Sequence, residues 1–121
     1  MAGTVTVEEE VHGSLKKIRF AWTSDASGNA DKTTTHAYNG VIERLVTIPG
    51  SGGAQPTDDY DVELVDEDGV DVLMGAGHDR SNADIEQVLA NALGCVANDT
   101  LTLQVSNAGN AKSGVVVVYL R

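Results

Sequence analysis

Carboxylates dominate the residues that could do chemistry. Asp58, Asp59, Asp61, Asp66, Glu67, Asp68 and Asp71 crowd one acidic stretch, and a hard cation such as calcium needs several oxygen ligands converging in one loop. Asp66, Asp68 and Asp71 are the first candidates for such ligands. Their spacing is only a fragment of an EF-hand loop, which continues with alternating ligands and closes on a glutamate. The sequence therefore predicts a plain acidic hairpin, with no metal ligand assigned and no cofactor. His12, His36 and His78 lie far apart, in or beside loops, so a zinc site would need the fold to gather them. Ser81, His78 and Asp79 supply the residue types of a hydrolytic triad, but that chemistry needs a base hydrogen-bonded to a nucleophile beside an oxyanion site, not sequence neighbours. Gly50, Ser51, Gly52 and Gly53 lack the Lys-Ser or Lys-Thr that ends a phosphate loop, and neither a nucleophile elbow nor a dinucleotide fingerprint is present. No catalytic residue is assigned, and the chain is not expected to be an enzyme. Cys95, the single cysteine, is expected to be an inert buried thiol, and the fold is not expected to depend on an oxidising compartment.

The elements that must position these residues read as strands. In the run 56–75, PTDDYDVELVDEDGVDVLMG, Tyr60, Val62 and Leu64 share one face, and Asp66, Glu67, Asp68 and Gly69 make a turn. Val70, Val72 and Leu73 resume the apolar pattern, so a hairpin is expected there. Upstream, Val5 and Val7 alternate with Thr4 and Thr6 in an expected edge strand, whose acidic tail from Glu8 to Glu10 would guard it from stray pairing. Ile18, Phe20 and Trp22 alternate with Lys17, Arg19 and Ala21 and are expected in the core. Residues 24–36 show no apolar period and read as a long loop. In the run 41–48, Ile42, Arg44, Val46 and Ile48 alternate with Val41, Glu43, Leu45 and Thr47, both faces partly apolar, which predicts a central strand or an assembly face. A second loop, rich in glycine and proline, spans 50–56.

After Gly75 the period changes. Ser81 or Asn82 could cap a short amphipathic helix carrying Ile85, Val88, Leu89 and Ala92 and stopping at Gly94. Leu101, Leu103 and Val105 return to alternation, and the final GVVVVYLR reads as a central strand buried on both faces. These elements predict an all-β chain: an antiparallel β-sandwich or jelly roll of about seven to eight strands with one short helix.

A chain of 121 residues is expected to fold as one domain over 1–121. Its formal net charge of −10 argues against a nucleic-acid partner, because phosphate binding needs a clustered basic surface. Lys16, Lys17 and Arg19 form the one basic strip, suited to solvent or to a complementary protein. No stretch approaches the length of a membrane span and no basic-then-apolar export signal opens the chain, so a soluble protein without membrane contact is expected.

The order of motifs carries a resemblance. KKIRFAWTSDASGNA, then GVIERLVTIPGSGGAQPTDDYDVELVDEDGVDVL, then LTLQVSNAGNAKSGVVVVYLR resembles small proteins of tailed-bacteriophage and prophage genomes, often encoded among virion structural genes. Pro56 with Tyr60, Asp61 and Val62, then Asp68, Gly69, Val70 and Asp71, then Asn107, Ala108 and Gly109 are its most recognisable pieces. The resemblance implies a capsid decoration, or cement, protein with a jelly-roll or related β fold. Such a protein is made in the host cytoplasm, sits on the outer surface of the virion and binds the major capsid protein as a homo-oligomer, dimer or trimer. A tail, collar or head-fibre component, including a receptor-binding module, is the alternative within virions. A calcium-dependent carbohydrate-binding module, with Trp22 or Tyr38 stacking on sugar, is the alternative outside them.

Overall fold

Alternation along the chain becomes strands throughout. The computed structural model describes residues 3–89, 91 and 93–121. Within them lie nine strands: β1 (Thr4–His12), β2 (Leu15–Thr23), β3 (Ala30–Thr33), β4 (Tyr38–Pro49), β5 (Asp61–Val65), β6 (Glu86–Leu89), β7 (Cys95–Asp99), β8 (Thr102–Ser106) and β9 (Ser113–Leu120), with a 3-10 turn at Gly52–Ala54. A six-stranded sheet runs β1-β2-β9-β4-β6, with β7 also pairing to β4, and a three-stranded sheet runs β3-β8-β5. Every ladder is antiparallel. The protein is an antiparallel β-sandwich.

Burial follows the period of two. Ile18, Phe20 and Trp22 of β2, Val116, Val118 and Leu120 of β9, Val62 and Leu64 of β5, and Leu103 and Val105 of β8 all enter one core cluster between the sheets. The Trp22 and Tyr60 rings meet across it at 5.5 Å. β1 is an edge of the large sheet and β4 and β9 lie at its middle, as the sequence predicts. A bulge between Ile42 and Arg44 breaks the expected alternation in β4. The extra residue, Glu43, turns Leu45 to the same side as Ile42, so both are core residues.

Five expectations are corrected. The strands number nine rather than seven to eight, because β3 hides in the polar run 24–36: it buries only Ala30 and leaves Asp31, Lys32 and Thr33 exposed, so no apolar period betrays it. The expected helix is absent among the described residues. Ser81 Oγ does accept the N–H groups of Ala83 and Asp84, but the chain then extends into β6, which pairs with 44–47 of β4. Open backbone groups on that long strand outweigh a weak helical period. Ile85 and Leu89, assigned to the apolar helix face, are exposed, while Val88 packs against the core; Ala92 lies outside the described residues. Cys95 is exposed on β7, not buried.

The fifth correction concerns the acidic hairpin. Its turn forms as expected: Gly69 N–H donates to the Asp66 carbonyl at 3.0 Å, with Gly69 at φ 80°, a backbone region that glycine enters without steric strain. Its second strand does not form. β5 ladders with β8 instead, and only an isolated bridge joins Val65 to Asp71. The segment 70–80 covers the open edge of β5 with single hydrogen bonds, Val72 N–H to the Leu64 carbonyl and Val62 N–H to the Gly77 carbonyl, both 2.8 Å. Asp71 supplies the missing acceptor, its Oδ1 taking the Leu64 N–H at 3.1 Å. A side chain thus does the work of a ladder on an edge that would otherwise invite stray pairing.

Candidate functional site

Two sheet faces carry the polar side chains that could act on a partner. On the large sheet the strand register sets the residues in rows. Lys17 of β2, Tyr119 of β9 and Arg44 of β4 are cross-strand neighbours. Lys17 Nζ lies 6.0 Å and Arg44 Cζ 5.2 Å from the centre of the Tyr119 ring, cation–π distances on an aromatic that is half-buried. The Arg44 guanidinium also donates from Nε to Gln87 at 2.9 Å, which fixes its orientation. The next row sets Glu8, Arg19, Val117 and Val46 side by side, and the one after it Thr6, Ala21, Val115 and Ile48. Arg19 and Glu8 stand 3.8 Å apart, both well exposed, so the pair adds little stability. Val46 and Val117 are buried yet lie outside the core cluster. This outer face therefore carries an apolar patch beside a row in which Tyr119 lies between Lys17 and Arg44 and Glu10 stands opposite Lys17. The basic strip expected from Lys16, Lys17 and Arg19 is split: Lys17 and Arg19 stay on this face with Arg44, each opposite a glutamate of β1, while Lys16 Nζ donates to the Asn39 carbonyl at 2.6 Å.

On the small sheet the outward row is Asp31, Gln104 and Glu63, in register across β3, β8 and β5. These residues line a shallow depression of about 270 Å³ with Asn29 and Ser106. Gln104 separates the two carboxylates. Beside them, Glu63 Oε2 and His78 Nε2 are 2.9 Å apart, and the Glu63 carboxylate raises the His78 pKa above 6.5. Asp61 accepts from the Asp79 N–H at 3.0 Å and the Asn107 side-chain amide at 2.6 Å.

The residues singled out for chemistry scatter into structural tasks. Asp66 Oδ1 takes the N–H groups of Asp68 and Val70, and Asp71 takes those of Leu64, Leu73 and Gly75. Asp66, Asp68 and Asp71 form no cluster of converging ligand atoms among the described residues. Asp58 accepts the Asn82 N–H at 3.1 Å, and its charge pushes the Asp59 carboxyl up. His12 pairs with Glu10 at 2.9 Å, His36 lies near Glu9 and His78 pairs with Glu63, so the histidines do not meet. Ser81 caps a turn and forms no hydrogen bond to His78, which leaves the triad unassembled. Trp22 and Tyr38 are buried, away from any sugar. The Tyr38 hydroxyl donates to Glu9 at 2.6 Å, and the Thr35 and His36 N–H groups join it there. Burial disfavours the Glu9 charge, but these bonds prevail and hold its pKa low. Glu9 is thus an inward clamp rather than part of an exposed guard.

Sequence reasoning missed the cluster of Glu63, Asp71 and His78, whose ligand atoms all lie within 4.8 Å of one another. No local spacing announces it, because it arises only when 71–78 folds back on β5; Gly75 and Gly77 flanking the return were the available signal.

No protein-family model matches the chain, and no curated protein does. Among solved structures, a carbohydrate-binding module of the β-sandwich superfamily, studied for promiscuous specificity, superposes at 14% identity with a TM-score of 0.44. That alignment covers 100% of this chain and 55% of the other, so this chain spans about half the length of the structure it resembles.

Proposed function

We propose that this β-sandwich is a virion structural protein that decorates a capsid, binding the outer surface of the major capsid protein lattice and stabilising the head. The observation that carries this reading is the outer face of the large sheet, where Tyr119 sits between Lys17 and Arg44 beside the rows that hold Val46 with Val117 and Ile48 with Val115. An antiparallel sheet already backed by a core is ordinarily polar on its other face. An apolar patch and an aromatic anchor there are what a protein–protein contact uses. Its cations, on a chain of net charge −10, suit an acidic strip on the shell protein. The sequence resemblance supplies the partner, and a homo-oligomer, dimer or trimer, would gain avidity by repeating the contact.

Co-sedimentation with purified heads tests the reading. The protein should pellet with heads, and Lys17→Glu combined with Arg44→Glu should weaken pelleting by roughly tenfold or more while the free variant keeps its β-sheet circular dichroism and cooperative melting. Failure of the unaltered protein to pellet, or undiminished pelleting of the double variant, would refute it; pelleting with tails alone would move the same face to a tail, collar or head-fibre role.

A further inference from the structure

We infer that Glu63, Asp71 and His78 bind a divalent transition-metal ion, with Zn²⁺ the best match. Their ligand atoms lie within 4.8 Å of one another, and His78 Nε2 and Glu63 Oε2 are only 2.9 Å apart. Tetrahedral zinc with bonds of about 2.0 to 2.2 Å sets its ligands about 3.4 Å apart. Small side-chain rotations therefore convert the hydrogen-bonded cluster into a coordinating one.

The backbone holds all three ligands in place before any ion arrives. Glu63 stands in the middle of β5. Asp71 is oriented by three N–H groups: Oδ1 receives Leu64 and Leu73, while Oδ2 receives only Gly75, which leaves Oδ2 a lone pair for a cation. His78 is carried by Gly77, whose carbonyl accepts the Val62 N–H at 2.8 Å. A Cβ on Gly77 would collide with the Val62 carbonyl oxygen, so only glycine lets the chain come this close to β5. Two residues beyond His78, the Arg80 N–H donates to the Tyr60 carbonyl at 2.8 Å. The imidazole thus projects from a segment tethered on both sides, the preorganisation that a metal site needs.

Ligand chemistry selects the ion. One imidazole nitrogen and two carboxylates suit zinc, whereas calcium takes six to eight oxygens in a looser shell. Two carboxylates also neutralise a dication on an acidic protein. Since Glu63 is partly exposed and borders the small-sheet depression, the ion would sit at its rim with water completing the shell.

The test uses the full chain, free of affinity tags and stripped with EDTA, titrated with Zn²⁺ by calorimetry and followed by thermal melting. One Zn²⁺ should bind and raise the melting temperature, and Ca²⁺ should do neither. Co²⁺ substitution should give visible d–d absorption. His78→Ala and Glu63→Gln should each weaken Zn²⁺ binding roughly tenfold or more while remaining folded without metal, with at most the small loss of melting temperature that the exposed His78–Glu63 pair accounts for, whereas Cys95→Ser, His12→Ala and His36→Ala should leave binding unchanged. Absence of zinc heat and melting shift, or zinc binding that survives His78→Ala, would overturn the assignment.

Discussion

Replacing Asp71 separates its task as a backbone acceptor from its task as a metal ligand. Its carboxylate holds the N–H groups of Leu64 at 3.1 Å and of Leu73 and Gly75 at 3.0 Å. The first two are partly buried beside Leu64 and Leu73, both fully buried; the third faces solvent. In Asp71→Ala the Leu64 and Leu73 donors lose an anionic acceptor where water reaches poorly, at about 1 to 2 kcal/mol each, and the Gly75 N–H turns to water at little cost. The expected loss is about 2 to 4 kcal/mol, a large share of the stability of a domain this size. Asp71→Asn keeps one oxygen for Leu64 and Leu73 and should cost about 1 kcal/mol. Urea unfolding in EDTA, followed by circular dichroism, reads both variants without any contribution from bound metal. The reasoning fails if Asp71→Ala stays within about 0.5 kcal/mol of the unaltered protein, or if the asparagine variant is as damaged as the alanine one.

Two further outcomes are expected. Tyr60 is fully buried and its pKa is pushed up to about 12, chiefly by that burial; Thr47 lies near enough to favour the ionised form slightly, yet neither hydroxyl reaches hydrogen-bonding geometry. Tyr60→Phe should therefore be neutral or stabilising by up to about 1 kcal/mol in chemical denaturation, and a loss larger than that would reveal a working bond to Thr47. For His78, the Glu63 carboxylate raises the folded pKa above 6.5, so the pair's stabilisation is complete below 6.5 and fades as pH rises through the raised value. An NMR titration in EDTA should show Glu63→Gln bringing the His78 pKa back down; an unmoved value would mean that the pair does not form in solution.

Much of the fold was legible because a half-buried strand writes its burial into every second residue. That period assigns Ile18, Phe20 and Trp22 to the core and sets Tyr60, Val62 and Leu64, and Leu101, Leu103 and Val105, each on one face of a strand, and all are buried. The illegible parts share one cause. β3 buries a single alanine and β6 half-buries a single valine, so their apolar signal is too faint to outweigh turn composition or a helical spacing. The paired cations of the outer face were half legible: Lys17 and Arg19 stood out on β2, but Arg44 and Tyr119 joined them only through the β4–β9 register.

By itself the sequence determined an all-β chain, the inward residues of its long strands, the turn at Asp66 to Gly69, and a net charge of −10, because periodicity, turn chemistry and charge are local properties. Tertiary structure alone decided that β5 pairs with β8, that a carboxylate covers its free edge, that Leu45 turns inward beside the Glu43 bulge, and that Glu63, Asp71 and His78 meet. Each of those depends on which distant backbone groups remain unsatisfied once the two sheets have packed, and no window of neighbouring residues carries that information.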